Sequence, residues 1–274
     1  MNSAMNLALI GCGKMGTAML RGWLAAGIEN RVYVLDPAGL PKELVDFTPN
    51  PVSYFKNAAD FVKAAPQADV FVIAVKPQIM EAACSSIAAI VPRGALVLSI
   101  AAGQTIAGFE RRFGTAQPVV RAMPNTPAAI GKGLTVAVAN ANVSAAQKQQ
   151  ADNILKSMGA VEWVMDEGLL DAVTALSGSG PAYVFLLMEV LAESGRKAGL
   201  PADLAMKLAR QTVIGSSALA EKEFVLPAST LRQNVTSPGG TTEAALKVLM
   251  GGPMQRMFDE AIAAATARGK ELGK

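Results

Sequence analysis

Histidine is absent from all 274 residues, and that absence excludes more chemistry than any single motif. Without an imidazole there is no serine–histidine or cysteine–histidine relay. Cysteine is scarce as well. Cys12 and Cys84 cannot build a disulfide framework, and with no histidine beside them they make no zinc site, so no metal is expected. Cys12 falls inside a glycine-rich turn, where a helix N-terminus would lower a thiol pKa; the simpler reading is a small residue filling a tight turn. Two lone thiols fit a reducing, cytoplasmic setting. Net charge is only +3 and the basic residues are scattered apart from Arg111 and Arg112, so nucleic acid is not an expected partner. Hydrophobic residues make up 51%, yet no apolar run approaches the ~20 residues of a spanning helix, so no membrane is expected either. The surplus apolar surface is expected to close against another subunit. No charged-then-apolar leader precedes the first apolar stretch. What remains for chemistry is a cofactor, hydroxyls, carboxylates, lysines and backbone N–H groups, a set that suits hydride transfer.

The stretch LALIGCGKMG, residues 7–16, supplies the place for such a cofactor. An apolar strand over 5–10 runs into Gly11-x-Gly13-x-x-Gly16 and then a helix over 15–26, with Gly27 positioned as its C-cap. Gly11 allows the tight turn, Gly13 lets backbone approach a pyrophosphate, and Gly16 lets the helix pack on the strand. Lys14 and Met15 open the helix, whose N-terminus offers unpaired N–H groups and the positive dipole end to the phosphates. A second strand over 31–35 ends at Asp36, twenty residues beyond Gly16, where a carboxylate would accept from the adenine ribose 2′-OH. That favours NAD(H) over NADP(H), although Asp before Pro also opens ordinary turns.

Strand and helix then alternate, as a doubly wound α/β sheet requires. Residues 38–51 read as an irregular or short helical connection, 57–64 as a helix, and 69–75 as a strand buried on both faces. Its carboxyl end, Ala74, Val75, Lys76 and Pro77, is expected to face the cofactor. A helix over 80–90 and a strand over 95–100 follow, closed by Ala101, Ala102 and Gly103, whose small side chains let a cofactor come close. A helix over 105–113 leads to strands over 119–123 and 134–139, joined through the stiff Pro124-Asn125-Thr126-Pro127 loop. Residues 145–158 and 160–164 add a last helix and strand. Beyond Asp166 the chain reads as helices, which puts the expected domains at 1–165 and 166–274.

Two glycine-rich breaks, Ser177-Gly-Ser-Gly180 and Ser237-Pro-Gly-Gly-Thr-Thr242, precede strong helices in the second half. Gly239 and Gly240 free the backbone to form a nest of N–H donors suited to a carboxylate. Hydroxyls at Ser177, Ser179, Ser237, Thr241 and Thr242 are either substrate donors or plain N-caps. The helix over 181–198 is apolar on most faces, which points to burial between subunits. Its Glu189, Glu193 and Lys197 form a solvated stripe.

Taken together, GCGKMG, AVKPQ (74–78), SIAAG (99–103), RAMPNTP (121–127), DAVTALSGSGPAY (171–183) and NVTSPGGTT (234–242) resemble the pyrroline-5-carboxylate reductase family along residues 7–272. The resemblance implies an N-terminal Rossmann-type domain and an all-helical C-terminal domain that interlocks with a second subunit, as a dimer or, beyond it, a decamer. It also implies hydride transfer from NADPH or NADH to the C=N carbon of Δ1-pyrroline-5-carboxylate, giving L-proline. Carried over by position, the backbone of Gly240, Thr241 and Thr242 would hold the substrate carboxylate and the Thr242 hydroxyl would bond the ring nitrogen. Asn57, Ala74, Val75, Lys76, Pro77, Ala101, Ala102 and Asn234 would line the cofactor site, with Glu167 near the substrate. Many members carry a small polar or basic residue near position 36 and prefer NADPH, so both cofactors stand.

Two rivals bear comparison. A β-hydroxyacid dehydrogenase shares the architecture but relies on a lysine soon after a glycine-rich helix start, and residues 181–193 contain none. A non-catalytic dinucleotide sensor would have no use for the SPGGTT nest.

Overall fold

The computed structural model describes residues 5–27, 29–40, 44, 52–64 and 66–273. Most of the connection at 38–51 therefore lies outside the described residues. The chain divides into two compact units, Met1–Gly178 with Ala265–Lys274, and Ser179–Ala264.

The first unit is built on one eight-stranded sheet: β1 (Met5–Ile10), β2 (Glu29–Leu35), β3 (Val52–Phe55), β4 (Val70–Ile73), β5 (Leu96–Ser99), β6 (Val119–Met123), β7 (Gly133–Ala139) and β8 (Gly159–Trp163). Their spatial order is β3-β2-β1-β4-β5-β6-β7-β8, and the first six run parallel. That is the dinucleotide-binding order, which reverses direction between β1 and β4.

Side-chain alternation explains why the central strands are apolar throughout. Leu7 and Leu9 of β1, Val70 and Val72 of β4, and Leu96 and Leu98 of β5 enter one core. Ala8, Ile10, Phe71, Ile73 and Val97 enter the other. A strand buried on both faces cannot alternate apolar with polar. The first core is covered by α1 (Lys14–Ala26) and α5 (Ala145–Lys156), through Met19, Leu20, Trp23, Ile154 and Leu155. The Trp23 indole N–H donates to the Ile154 carbonyl at 3.2 Å. The second core is covered by α2 (Ala58–Lys63), α3 (Met80–Ile87) and α4 (Ile106–Phe113), through Phe61, Met80, Ile87 and Phe109.

Caps set the helix ends. Gly27 closes α1 at φ 60°, the left-handed conformation that favours glycine, and Ser144 with Gln147 forms a capping box at the start of α5. Strand β7 runs antiparallel to β6 while β8 is parallel to β7. The link 124–132 holds only a 3-10 turn over Thr126–Ile130, too short for the crossover of roughly a dozen residues that a parallel return needs.

Three findings differ from expectation. Residues 52–55 form a strand, β3, where none was expected. The Ser177–Gly180 stretch does not break the chain: a 3-10 turn (Glu167–Leu169), α6 (Leu170–Val173), a π-turn (Thr174–Gly178) and α7 (Gly180–Lys197) follow one another as a single helical run. Within that run Gly178 lies close to Met123: a Cβ there would stand 2.5 Å from Met123 Cε. The compact units part at Gly178, and the chain's last ten residues group with the first unit. Because it is unbroken, the run Glu167–Lys197 is also long and apolar enough, by length and composition, to cross a membrane, contrary to the expectation that no run approaches that size.

The second unit consists of α7, α8 (Ala202–Lys222), α9 (Ala228–Asn234), α10 (Thr241–Leu249) and the first part of α11 (Pro253–Leu272). Helices α7 and α8 meet along a small-residue seam of Gly195, Ala192, Ala205 and Ala209; a Cβ on Gly195 would lie 3.4 Å from Ala205 Cβ. Those three alanines are its fully buried hydrophobics, while Phe185, Leu186 and Val190 are 58%, 56% and 53% exposed. A patch of this kind marks an interface. On the charged stripe, Arg196 grips Glu193 through two bonds of 2.8 Å and holds its carboxyl down at about 2.

Candidate active site

At the switch point between β1 and β4 the glycine turn is defined by steric exclusion. Gly11 has φ 96°, and a Cβ there would lie 2.9 Å from the Ala74 carbonyl oxygen and from Val75 Cγ1. A Cβ on Gly16 would lie 2.3 Å from the Gly11 carbonyl oxygen. The turn and the helix can close on β4 only as glycines. Gly13 differs: a Cβ there would meet nothing within 4 Å, so its backbone faces open space beside the N-terminus of α1, opened by Lys14 and Met15. That is the arrangement a pyrophosphate requires.

Asp36, at the end of β2, is tied to this turn. Its carboxylate accepts the Cys12 N–H at 2.5 Å and the Ala38 N–H at 2.8 Å, and its carbonyl accepts the Tyr54 hydroxyl. Parallel pairing brings Gly11, Asp36, Asn57, Ala74 to Pro77, Ala101 and Ala102 to the same carboxyl edge of β1 to β5. Asn57 additionally caps α2, accepting the Asp60 N–H at 2.9 Å. Lys76 precedes the 3-10 turn Pro77–Ile79 and is exposed.

Burial decides between the two readings of Cys12. It pushes the thiol pKa up, the Asp36 charge adds to the rise, and the Thr17 hydrogen bond opposes it. Burial likewise pushes Cys84 up to about 11. Both thiols are buried and held protonated at neutral pH, so native protein is expected to resist maleimide at pH 7.5, with both cysteines labelling in denaturant. The sign for stability follows. Unfolded Cys84 ionises near its ordinary 9.0, so its contribution is complete below that pH and is lost as pH rises toward 11.

Farther along the edge is a charged cluster of which the sequence singled out Glu167 but not Arg121 or Asp171. Arg121 of β6 is 5% exposed; its guanidinium donates to Glu167 at 2.9 Å and stands 3.9 Å from Asp171. The same Glu167 oxygen accepts the Ile106 N–H at 2.9 Å, at the start of α4. Glu167 is therefore held, itself half-buried, against a buried arginine. The available signal was a lone arginine inside the apolar run VVRAM. Ser177, on the π-turn, bonds Asn125 Nδ2 at 3.1 Å, and Asn125 in turn accepts the Leu134 N–H at 3.0 Å.

In the helical unit, Ser237, Gly240, Thr241 and Thr242 come together at the start of α10, with Asn234 ending α9. Gly239 has φ 71°, and its N–H donates to Glu243 at 2.5 Å; Gly240 N–H donates to the Ser237 carbonyl at 3.0 Å. Those two donors are taken. The N–H groups of Thr241, Thr242 and Glu243, in the first helical turn, have no intrahelical acceptor.

Comparison with known proteins accounts for both halves. Residues 167–272 match the family model for pyrroline-5-carboxylate reductase dimerisation, and residues 6–103 match that for NADP oxidoreductase, coenzyme F420-dependent. The pyrroline-5-carboxylate reductase of Pseudomonas aeruginosa is 40% identical over 99% of this chain and 98% of its own length. The chain belongs to the pyrroline-5-carboxylate reductase family. A structure of a pyrroline-5-carboxylate reductase from Coxiella burnetii superimposes with a TM-score of 0.88 at 38% identity, over 99% of this chain and all of that one. The Plasmodium falciparum pyrroline carboxylate reductase, solved with NADP bound, gives a TM-score of 0.81 at 30% identity, over 98% of this chain and all of that one. The chain is thus an NAD(P)H-dependent oxidoreductase with a small-molecule substrate, reducing the C=N bond of Δ1-pyrroline-5-carboxylate to give L-proline, and it oligomerises through its helical region. Among the described residues no group of side chains is arranged to hold a metal ion.

Proposed function

We propose how this pyrroline-5-carboxylate reductase divides its task between residues. Gly11, Gly13, Lys14, Met15 and Gly16 hold the cofactor pyrophosphate, Asp36 meets the adenine ribose, and Asn57, Ala74, Val75, Lys76, Pro77, Ala101, Ala102 and Asn234 line the rest. The observation that carries this is the open space at Gly13 beside two glycines that admit no side chain. When bound, NAD(P)H supplies the hydride. The chain's own residues bind and orient: the Thr241 and Thr242 N–H groups and the α10 dipole take the substrate carboxylate, supported by Ser237 and Gly240. The Thr242 hydroxyl bonds the ring nitrogen, and the imine carbon grows more electrophilic as that nitrogen gains a proton or a strong hydrogen bond. Ser177 is a further substrate contact; Glu167 borders the pocket while its carboxylate is anchored by Arg121.

Removing the Thr242 hydroxyl with Thr242→Val is expected to lower kcat/KM at least ~10-fold by deleting a transition-state hydrogen bond, with cofactor KM unchanged. Wild-type turnover in that variant would remove Thr242 from the role. Asp36→Ser is expected to raise the NADPH-to-NADH ratio of kcat/KM by about 10-fold, a change of ~1.4 kcal/mol, since a 2′-phosphate no longer meets a carboxylate. The variant also loosens the Cys12 contact, and the ratio isolates the charge effect because both cofactors share that cost.

The assembly follows from the same reading. The exposed apolar face of α7 closes against a second copy, making a homodimer through the C-terminal helices on which a decamer can be built. The apolar run of residues 167–197 serves this contact and no membrane, and no nucleic acid is a partner. The enzyme works in the cytoplasm, with a nucleotide-binding domain over 1–165 and a substrate-binding, dimerising one over 166–274.

A further inference from the structure

We propose that the last turn of α11 is a positioning element for the cofactor turn 101–103. Gly103 closes that turn at φ 71°, and a Cβ there would lie 3.0 Å from both Leu272 Cβ and the Leu272 carbonyl oxygen. The contact is reciprocal: a Cβ on Gly273 would lie 3.2 Å from the Gly103 carbonyl oxygen. Backbone meets backbone at a place where a methyl group on either side would force its neighbour to shift. One turn earlier, a Cβ on Gly269 would lie 3.3 Å from Asp171 Oδ1, so the helix end also rests on the cluster that Arg121 organises. Two close seats fix its height against the sheet edge.

The helix that ends here begins in the other compact unit: residues 253–264 group with the helical unit and 265–274 with the sheet. Cofactor affinity is therefore set in part by the end of a helix that starts among the oligomerising elements. The inference rests on the reading that Ala101 and Ala102 line the cofactor site.

NAD(P)H titration by fluorescence, with substrate KM and thermal midpoint measured alongside, tests it on the full chain and three variants. A chain ending at Glu271 is expected to bind NAD(P)H about 5-fold more weakly, with substrate KM within about 2-fold of wild type. Leu272→Ala keeps the Cβ and backbone that make the contact, and is expected to bind normally. Gly103→Ala is expected to weaken cofactor binding, and combining it with the shortened chain should give less than the product of the two effects, because the clash partner is gone. Wild-type cofactor affinity in the shortened chain, or effects that multiply independently, would overturn the proposal. Unchanged affinity in Gly103→Ala would instead overturn the cofactor reading of the turn itself.

Discussion

Replacing Gly16 by alanine is expected to raise the dissociation constant for NAD(P)H at least ~100-fold, or about 2.7 kcal/mol. The reason is steric and local. The added Cβ would lie 2.3 Å from the Gly11 carbonyl oxygen, a backbone atom that cannot swing away as a side-chain tip can. Gly11 cannot retreat either, because on its other side the Ala74 carbonyl oxygen and Val75 Cγ1 stand 2.9 Å from where its own Cβ would be. The turn must open, and the N–H groups at the head of α1 then lose their common focus. The fold should survive, since β1 is held by β2 from Met5 and by β4 from Leu7, both as far as Ile10. Gly13→Ala is the contrasting variant: it meets no protein atom, so its whole effect falls on whatever approaches the turn. Fluorescence titration reads both. A Gly16→Ala protein binding within 3-fold of wild type would mean that the cofactor does not use this turn.

The second large effect is expected from Leu186→Asp combined with Val190→Asp. These residues are 56% and 53% exposed, lie one helical turn apart, and stand on a unit whose few fully buried hydrophobics are alanines. Such a unit buries too little apolar surface to be stable alone. Each buried leucine or valine is worth about 1.5–3 kcal/mol, and a buried unpaired carboxylate costs several more. Light scattering should show the variant as monomer, with a thermal midpoint at least ~10 °C lower and reductase activity lost with the assembly. A variant that keeps the wild-type mass and midpoint would place the interface on another face.

Much of this was legible in the sequence, and the exceptions have physical causes. Strands β1, β4 and β5 announce themselves because burial on both faces forces unbroken apolar runs. The glycine turn and the Gly27 cap fall where chain chemistry places them. Strand β3 was missed because four residues at the sheet edge, each half-buried, carry little periodicity. The antiparallel return of β7 depends on link length, which hydrophobic pattern does not encode. Residues 177–180 looked like a break because serine and glycine usually end helices; here the glycine at 178 answers a close tertiary approach to Met123, which local pattern does not encode. The glycine turn and the SPGGTT loop stand out in the sequence by their spacing. The Arg121, Glu167 and Asp171 cluster does not, since its members are up to fifty residues apart and only folding joins them.

The most direct test of the central claim follows the absorbance of NADPH, and separately NADH, with purified protein and Δ1-pyrroline-5-carboxylate, using a six-membered Δ1-piperideine carboxylate as the comparison. The account predicts rapid oxidation with the five-membered imine, and L-proline formed in equal amount. Tight cofactor binding with no substrate-dependent oxidation of either nucleotide would contradict it and leave a dinucleotide sensor in its place.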